Sequence, residues 1–174
     1  EIYVRRDGFS RQRLVERLAK EGIIVKTAPI AEWMYYCDYV LMNKYDVDSG
    51  IKDRFKTYIL QPFKISYEKA VKEIFSTTGL YEPHMIDVGK LIRNATGLIS
   101  PNLTGEAILT SSSAITEIVE EVAGVISIGP FGCMPGRIAE SIINTKMSEK
   151  KAEVAGDKEL VAKVIERYPS LPFL

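Results

Sequence analysis

The sequence contains few of the residues that build metal sites or disulfide frameworks. Its 174 residues include two cysteines, one histidine and one tryptophan. Cys37 lies in an aromatic stretch predicted to be helical, whereas Cys133 lies in a glycine-rich segment. These unlike contexts argue against a disulfide scaffold and favour a reducing compartment, so we expect a cytoplasmic protein. His84 has no second histidine or nearby cysteine, which makes it a poor candidate ligand or catalytic base.

The sequence also lacks a charge excess and a long apolar run. It has 23 basic and 23 acidic residues, and its hydrophobic fraction is 46%. A balanced charge gives no general attraction to nucleic acid or to membranes, so we expect neither as a partner. No apolar run approaches the roughly 20 residues that span a bilayer. These values are typical of one soluble globular domain, here covering residues 1–174.

The most informative stretch runs from Gly124 to Glu140. A short β-branched run predicts a buried strand over 125–128, and an amphipathic pattern predicts a helix beginning near Pro135. Between them lies a loop rich in glycine and proline that contains Gly129, Gly132 and Cys133. A thiol at a helix N-terminus is favoured as thiolate by the helix dipole, and glycines let the backbone approach a metal cluster or an anionic ligand. The alternative is a cysteine that simply packs in a turn.

The order of the predicted elements indicates an α/β fold. We expect a small parallel sheet of about four strands in a flavodoxin-like or Rossmann-like arrangement. Its strands are predicted at 2–5, 23–28, 125–128 and 171–174. This topology brings the turn at 5–8 beside the loop at 129–136, so that Arg5 or Arg6 faces Cys133 and supports a negative charge there.

A largely helical insertion is predicted between about residues 31 and 122. Its helices are expected at 31–45, 51–60, 66–76, 85–94 and 104–122, separated by proline and glycine positions that include Pro62. Glu32 follows the second strand and is a possible site residue, although a solvated or capping carboxylate is the preferred interpretation. After the insertion, Asp157 is predicted to cap a last helix over 158–167.

Four segments, in this order, resemble a known protein family. They are Glu1-Ile-Tyr-Val-Arg5, Ala28-Pro-Ile-Ala-Glu-Trp33, Gly105-Glu-Ala107 and Ile128-Gly-Pro-Phe-Gly-Cys-Met-Pro135. They resemble the fused proteins related to 2-hydroxyacyl-CoA dehydratases and their activators, the CoA-substrate-specific enzyme activases. The likeness extends over nearly the whole chain, and the last segment is its most specific part. The chain matches the dehydratase-like part of such a protein, so we expect it to be an excised domain.

The resemblance implies a four-iron–four-sulfur cluster, with Cys133 as one ligand and with Gly129, Gly132 and Arg5 around it. Cys37 matches no ligand position of the family. Because a cluster needs roughly three or four thiolates, this chain is not a complete site, and we expect the cluster in the full-length protein but not in this chain by itself. The related dehydratases remove water from a 2-hydroxyacyl-CoA by radical chemistry, so acyl-CoA is a possible ligand.

The resemblance also implies ATPase modules upstream in the same polypeptide as partners. This chain has no phosphate-binding glycine loop followed by Lys-Ser or Lys-Thr, and we expect it to be inactive by itself. Two alternatives remain open at the level of sequence. One is a non-catalytic docking domain of the same protein. The other is a flavodoxin-like module that binds a small molecule or phosphate through the loop at 129–136.

Overall fold

The computed structural model describes residues 4, 6–43, 50–79 and 83–174, and within them it is helical. The helices are α1 (Leu14–Lys20), α2 (Ile30–Met42), α3 (Ile51–Ser76), α4 (Val88–Ala95), α5 (Glu106–Glu117), α6 (Met134–Val154) and α7 (Lys158–Arg167). In these ranges β-structure is confined to two isolated bridges, one joining Ile118 to Val122 and one joining Val125 to Phe173. The predicted α/β fold with a flavodoxin-like or Rossmann-like sheet is therefore wrong.

Two of the predicted strands pair with each other, but only over one parallel bridge. The Val125 N–H donates to the Pro172 carbonyl at 2.9 Å, and the Leu174 N–H donates to the Val125 carbonyl at 3.0 Å. Val125 and Phe173 both pack against the helical core. Short apolar runs of this kind are ambiguous in sequence, because an extended segment lying on helices needs the same residues as a buried strand.

The other two predicted strands do not contribute to a sheet. Residues 23–29 have no regular secondary structure, and Ile24 is 96% exposed, whereas a central strand would bury it. The segment is attached instead through Lys26, whose Nζ lies 2.7 Å from Glu121 Oε2 and 3.2 Å from Glu117 Oε2. The predicted strand at 2–5 lies almost entirely outside the described residues.

The chain divides into two compact units. The first comprises residues 1–30 and 90–174, and the second comprises residues 31–89. In the first unit α5 and α6 pack on each other, and α7 packs on α6. The buried core of this unit includes a cluster formed by Ala114, Ile115, Ile118, Ala139, Ile143, Met147, Leu171 and Phe173.

Helix α6 places one row of side chains in this core. Ala139, Ile143, Met147 and Lys151 recur every four residues and are all buried, as expected for one face of an α-helix. The continuation of the helix to Val154 was not predicted, because its second half is rich in charged residues.

In the second unit α3 passes through Pro62 without a break, so the prediction of two helices at 51–60 and 66–76 is wrong. A proline inside a helix removes one hydrogen bond, here the bond to the Tyr58 carbonyl. Pro62 is exposed to solvent, so water can bind that carbonyl and the helix tolerates the proline.

Candidate functional site

The loop that carries Cys133 begins as an extended segment and closes in a tight turn. The Ser127 N–H donates to the Leu174 carbonyl at 2.6 Å, which fixes the start of the loop. The Cys133 N–H then donates to the Pro130 carbonyl at 3.2 Å. Gly132, at the third position of this four-residue turn, has φ of +77°. A side chain is disfavoured in that conformation, so the turn itself accounts for Gly132.

Cys133 is the N-cap residue of α6. Its carbonyl accepts the first intrahelical hydrogen bond, from the Arg137 N–H at 3.0 Å, and Pro135 lies in the first turn. The N–H groups of Met134 and Gly136 precede that bond, so the helix itself provides them with no acceptor. The positive end of the helix dipole therefore lies beside the thiol, and it favours negative charge there.

The Cys133 side chain is half-buried. A Cβ atom placed on Gly136 would lie 3.7 Å from its Sγ, and one placed on Gly129 would lie 3.7 Å from its Cβ. Both are ordinary van der Waals distances, so alanine would fit at either position. On either side of the cysteine, Phe131 and Met134 project into solvent. Two apolar side chains close to Cys133 in the sequence are therefore exposed.

Of the two arginines predicted to face Cys133, the structure describes only Arg6. Arg5 lies outside the described residues, and Arg6 is exposed on a turn. Next to that turn is an open depression of about 710 Å³. Its described lining residues are Gly8, Phe9, Ser10, Gln12, Arg13 and Glu16, none of which belongs to the Cys133 loop.

Cys37 and His84 lie in the second unit and have other surroundings. Desolvation and the adjacent Asp38 carboxylate raise the pKa of the Cys37 thiol, although the nearby Lys64 opposes the shift. The raised pKa disfavours the thiolate, which is the form of cysteine that binds metal. His84 is exposed, and its backbone carbonyl accepts a hydrogen bond from Lys72 Nζ at 2.5 Å.

Glu32 is buried in the first turn of α2, so the prediction of a solvated carboxylate is wrong, whereas the prediction of a capping carboxylate is not tested.

The thiol of Cys133 can supply one metal ligand. Within the described parts of the chain, no three residues among the histidines, cysteines, aspartates and glutamates are grouped closely enough to hold a metal ion. A four-iron–four-sulfur cluster requires roughly three or four thiolates. The residues present therefore fit the contribution of a single ligand and do not fit a complete cluster site.

No family model matches this chain, and neither the curated proteins nor the solved structures contain a significant match. In the described residues, no helix has both the length and the apolar character needed to cross a membrane.

A polar cluster between α2 and α3 was missed in the sequence. Lys64 Nζ lies 2.8 Å from Asp38 Oδ1, and Lys72 Nζ lies 2.5 Å from Glu68 Oε1. The Tyr35 hydroxyl donates to Glu68, and burial together with this carboxylate raises the pKa of Tyr35. The spacing of the charged residues could have indicated this cluster, because Lys64, Glu68 and Lys72 recur every four residues and share one face of a helix.

Proposed function

We propose that this chain is part of a protein related to the CoA-substrate-specific enzyme activases and 2-hydroxyacyl-CoA dehydratases. In this proposal Cys133 supplies one thiolate to a four-iron–four-sulfur cluster, and the remaining ligands come from outside this sequence. The observation that carries the proposal is the position of Cys133 as the half-buried N-cap residue of a long helix.

The surroundings of Cys133 suit an anionic sulfur ligand in two respects. The N–H groups of Met134 and Gly136 can donate to cysteine sulfur or cluster sulfur, and such bonds stabilise negative charge and tune the reduction potential. The half-buried thiol also remains partly accessible, which a ligand to an external group requires. Further support is the resemblance of the segment Ile128–Pro135 to the family's cysteine loop.

The partners and location follow from the same proposal. The upstream ATPase modules of the polypeptide are the proposed partners, and an acyl-CoA is the proposed substrate of the assembled protein. Both cysteines in this chain are free thiols, which suits the reducing cytoplasm that an iron–sulfur protein requires. Phe131 and Met134, exposed on either side of Cys133, provide apolar surface for a neighbouring part of the assembly.

The test is anaerobic iron–sulfur reconstitution of the longer polypeptide that contains this chain. Replacing Cys133 by serine keeps the side-chain shape and weakens the ligand, so Cys133→Ser should lower bound iron and visible absorbance by at least about half. Cys37→Ser is the matched control and should leave both unchanged. Iron content that is equal in wild type and Cys133→Ser would refute the proposal. It would leave the non-catalytic docking domain as the better description.

A further inference from the structure

An apolar row of side chains on α3 faces solvent. Ile51, Phe55, Ile59, Phe63 and Tyr67 recur every four residues, and their exposed fractions range from 46% to 85%. We refer to these five residues as the α3 ridge. Residues spaced by four form a continuous ridge on a helix surface, so these side chains lie next to one another along α3.

The opposite side of α3 is already engaged by polar contacts. Lys64 pairs with Asp38 of α2, and Glu68 accepts a hydrogen bond from Tyr35 of α2. If α3 rotated about its axis so that the ridge faced α2, these contacts would break. The buried Asp38 carboxylate would then lose its Lys64 partner. The outward orientation of the ridge is therefore maintained by the polar cluster.

The exposed area approaches that of one side of a standard protein interface. An aromatic side chain buries about 150–250 Å², and Phe55, Phe63, Tyr67 and the adjacent Tyr58 are each at least 66% exposed. These four offer roughly 500 Å², and the ridge isoleucines bring the total to about 700 Å². The largest apolar patch of a typical monomer is about 300–600 Å², whereas a standard interface buries about 800 Å² on each partner.

We propose that the α3 ridge is a self-association surface that pairs with the same ridge of a second copy of this chain. Two identical ridges with four-residue spacing fit into each other's grooves in the commonest helix-packing class of globular proteins. A twofold axis then passes near Ile59, the middle residue of the ridge, so that each copy presents the same patch to the other.

A second copy fits this surface better than an anionic lipid surface does. An amphipathic helix that binds lipid keeps a strongly basic face in water. The charged residues of α3 include the acidic Asp53, Glu68 and Glu73 besides its basic residues, and the charges of Lys64 and Lys72 are paired with Asp38 and Glu68.

The first test is the molar mass of the purified chain, measured by light scattering and analytical ultracentrifugation at micromolar concentrations. Wild type should be a dimer, and Phe63→Glu should weaken dimerisation at least about tenfold because it places a charge within the buried patch. Ile24→Glu is the matched control, because Ile24 is also apolar and exposed but lies outside α3. The Ile24→Glu variant should remain dimeric. Circular dichroism should show the same helix content in all three proteins.

The second test locates the twofold axis. In a background carrying Cys37→Ser and Cys133→Ser, the variant Ile59→Cys should form disulfide-linked dimers on mild oxidation, whereas Ile24→Cys should not. Three outcomes would overturn the proposal: a monomeric wild type, a Phe63→Glu variant that dimerises normally, or binding of the monomer to anionic vesicles through the ridge.

Discussion

The Lys151–Glu120 pair joins three parts of the first unit. Removing one partner of the pair should cost much more stability than removing the other. Lys151 is the last member of the buried row on α6, and its side chain is 1% exposed. Its Nζ donates to Glu120 and to the Thr116 carbonyl, the latter at 3.0 Å. Glu120 is 25% exposed and also accepts the Asp157 N–H at 2.8 Å. One carboxylate thus connects α6 to the start of α7.

Neutralising the carboxylate should cost more than removing the lysine. Breaking a buried ion pair from one side costs about 3–5 kcal/mol when it strands a buried charge. Glu120→Gln strands the Lys151 ammonium, and because Glu120 is partly solvated we expect about 3 kcal/mol, a large part of a typical stability. Lys151→Met leaves a carboxylate that water and the Asp157 N–H can solvate, so about 1–2 kcal/mol is expected. The double variant should therefore be more stable than Glu120→Gln alone.

Urea denaturation of the three variants measures these costs, with the exposed pair of Lys163 and Glu159 on α7 as control. Glu159→Gln should change the free energy of unfolding by less than about 0.5 kcal/mol. The reasoning fails if Glu120→Gln is as mild as this control, or if the two single costs simply add in the double variant.

The same pair should contribute to the acid sensitivity of the fold. Burial disfavours the charged form of Glu120, but hydrogen bonds from Lys151 and the Asp157 N–H outweigh it and hold the pKa of Glu120 below its ordinary value of 4.5. A lowered folded-state pKa gives stability that is present above 4.5 and is lost as pH falls through the folded-state value. The free energy of unfolding should therefore fall less steeply with acid in Glu120→Gln than in wild type.

Two further predictions concern the cap of α7 and the activity of the isolated chain. Asp157 Oδ1 accepts the Leu160 N–H at 2.9 Å, so Asp157→Ala should lower the free energy of unfolding by about 1 kcal/mol and Asp157→Ser should restore most of it; equal stability of the alanine variant would argue against the cap. The purified chain should neither hydrolyse ATP nor dehydrate a 2-hydroxyacyl-CoA, because it has no phosphate-binding loop and one candidate cluster ligand; phosphate release that scales with protein concentration would contradict this.

Local chemistry in the sequence determined several features that the structure contains. Asp157 caps a helix that begins and ends where it was predicted, at Lys158 and Arg167. Gly22 follows α1 with φ of +77°, and its N–H bonds back to the Ala19 carbonyl, which is the usual role of a glycine just beyond a helix end. The placement of Cys133 at the start of a helix was also predicted correctly. Each of these depends on neighbours within about four residues, which is the range over which sequence patterns act.

Tertiary contacts decided the features that the sequence misassigned. A strand exists only where another strand completes its hydrogen bonds, and the run at 23–28 has no such partner among the described residues. Pro62 continues a helix because its surroundings are open to water, and Lys151 is buried because Glu120 lies across from it. These outcomes depend on segments far apart in the chain, so the spacing of residues in one segment could not determine them.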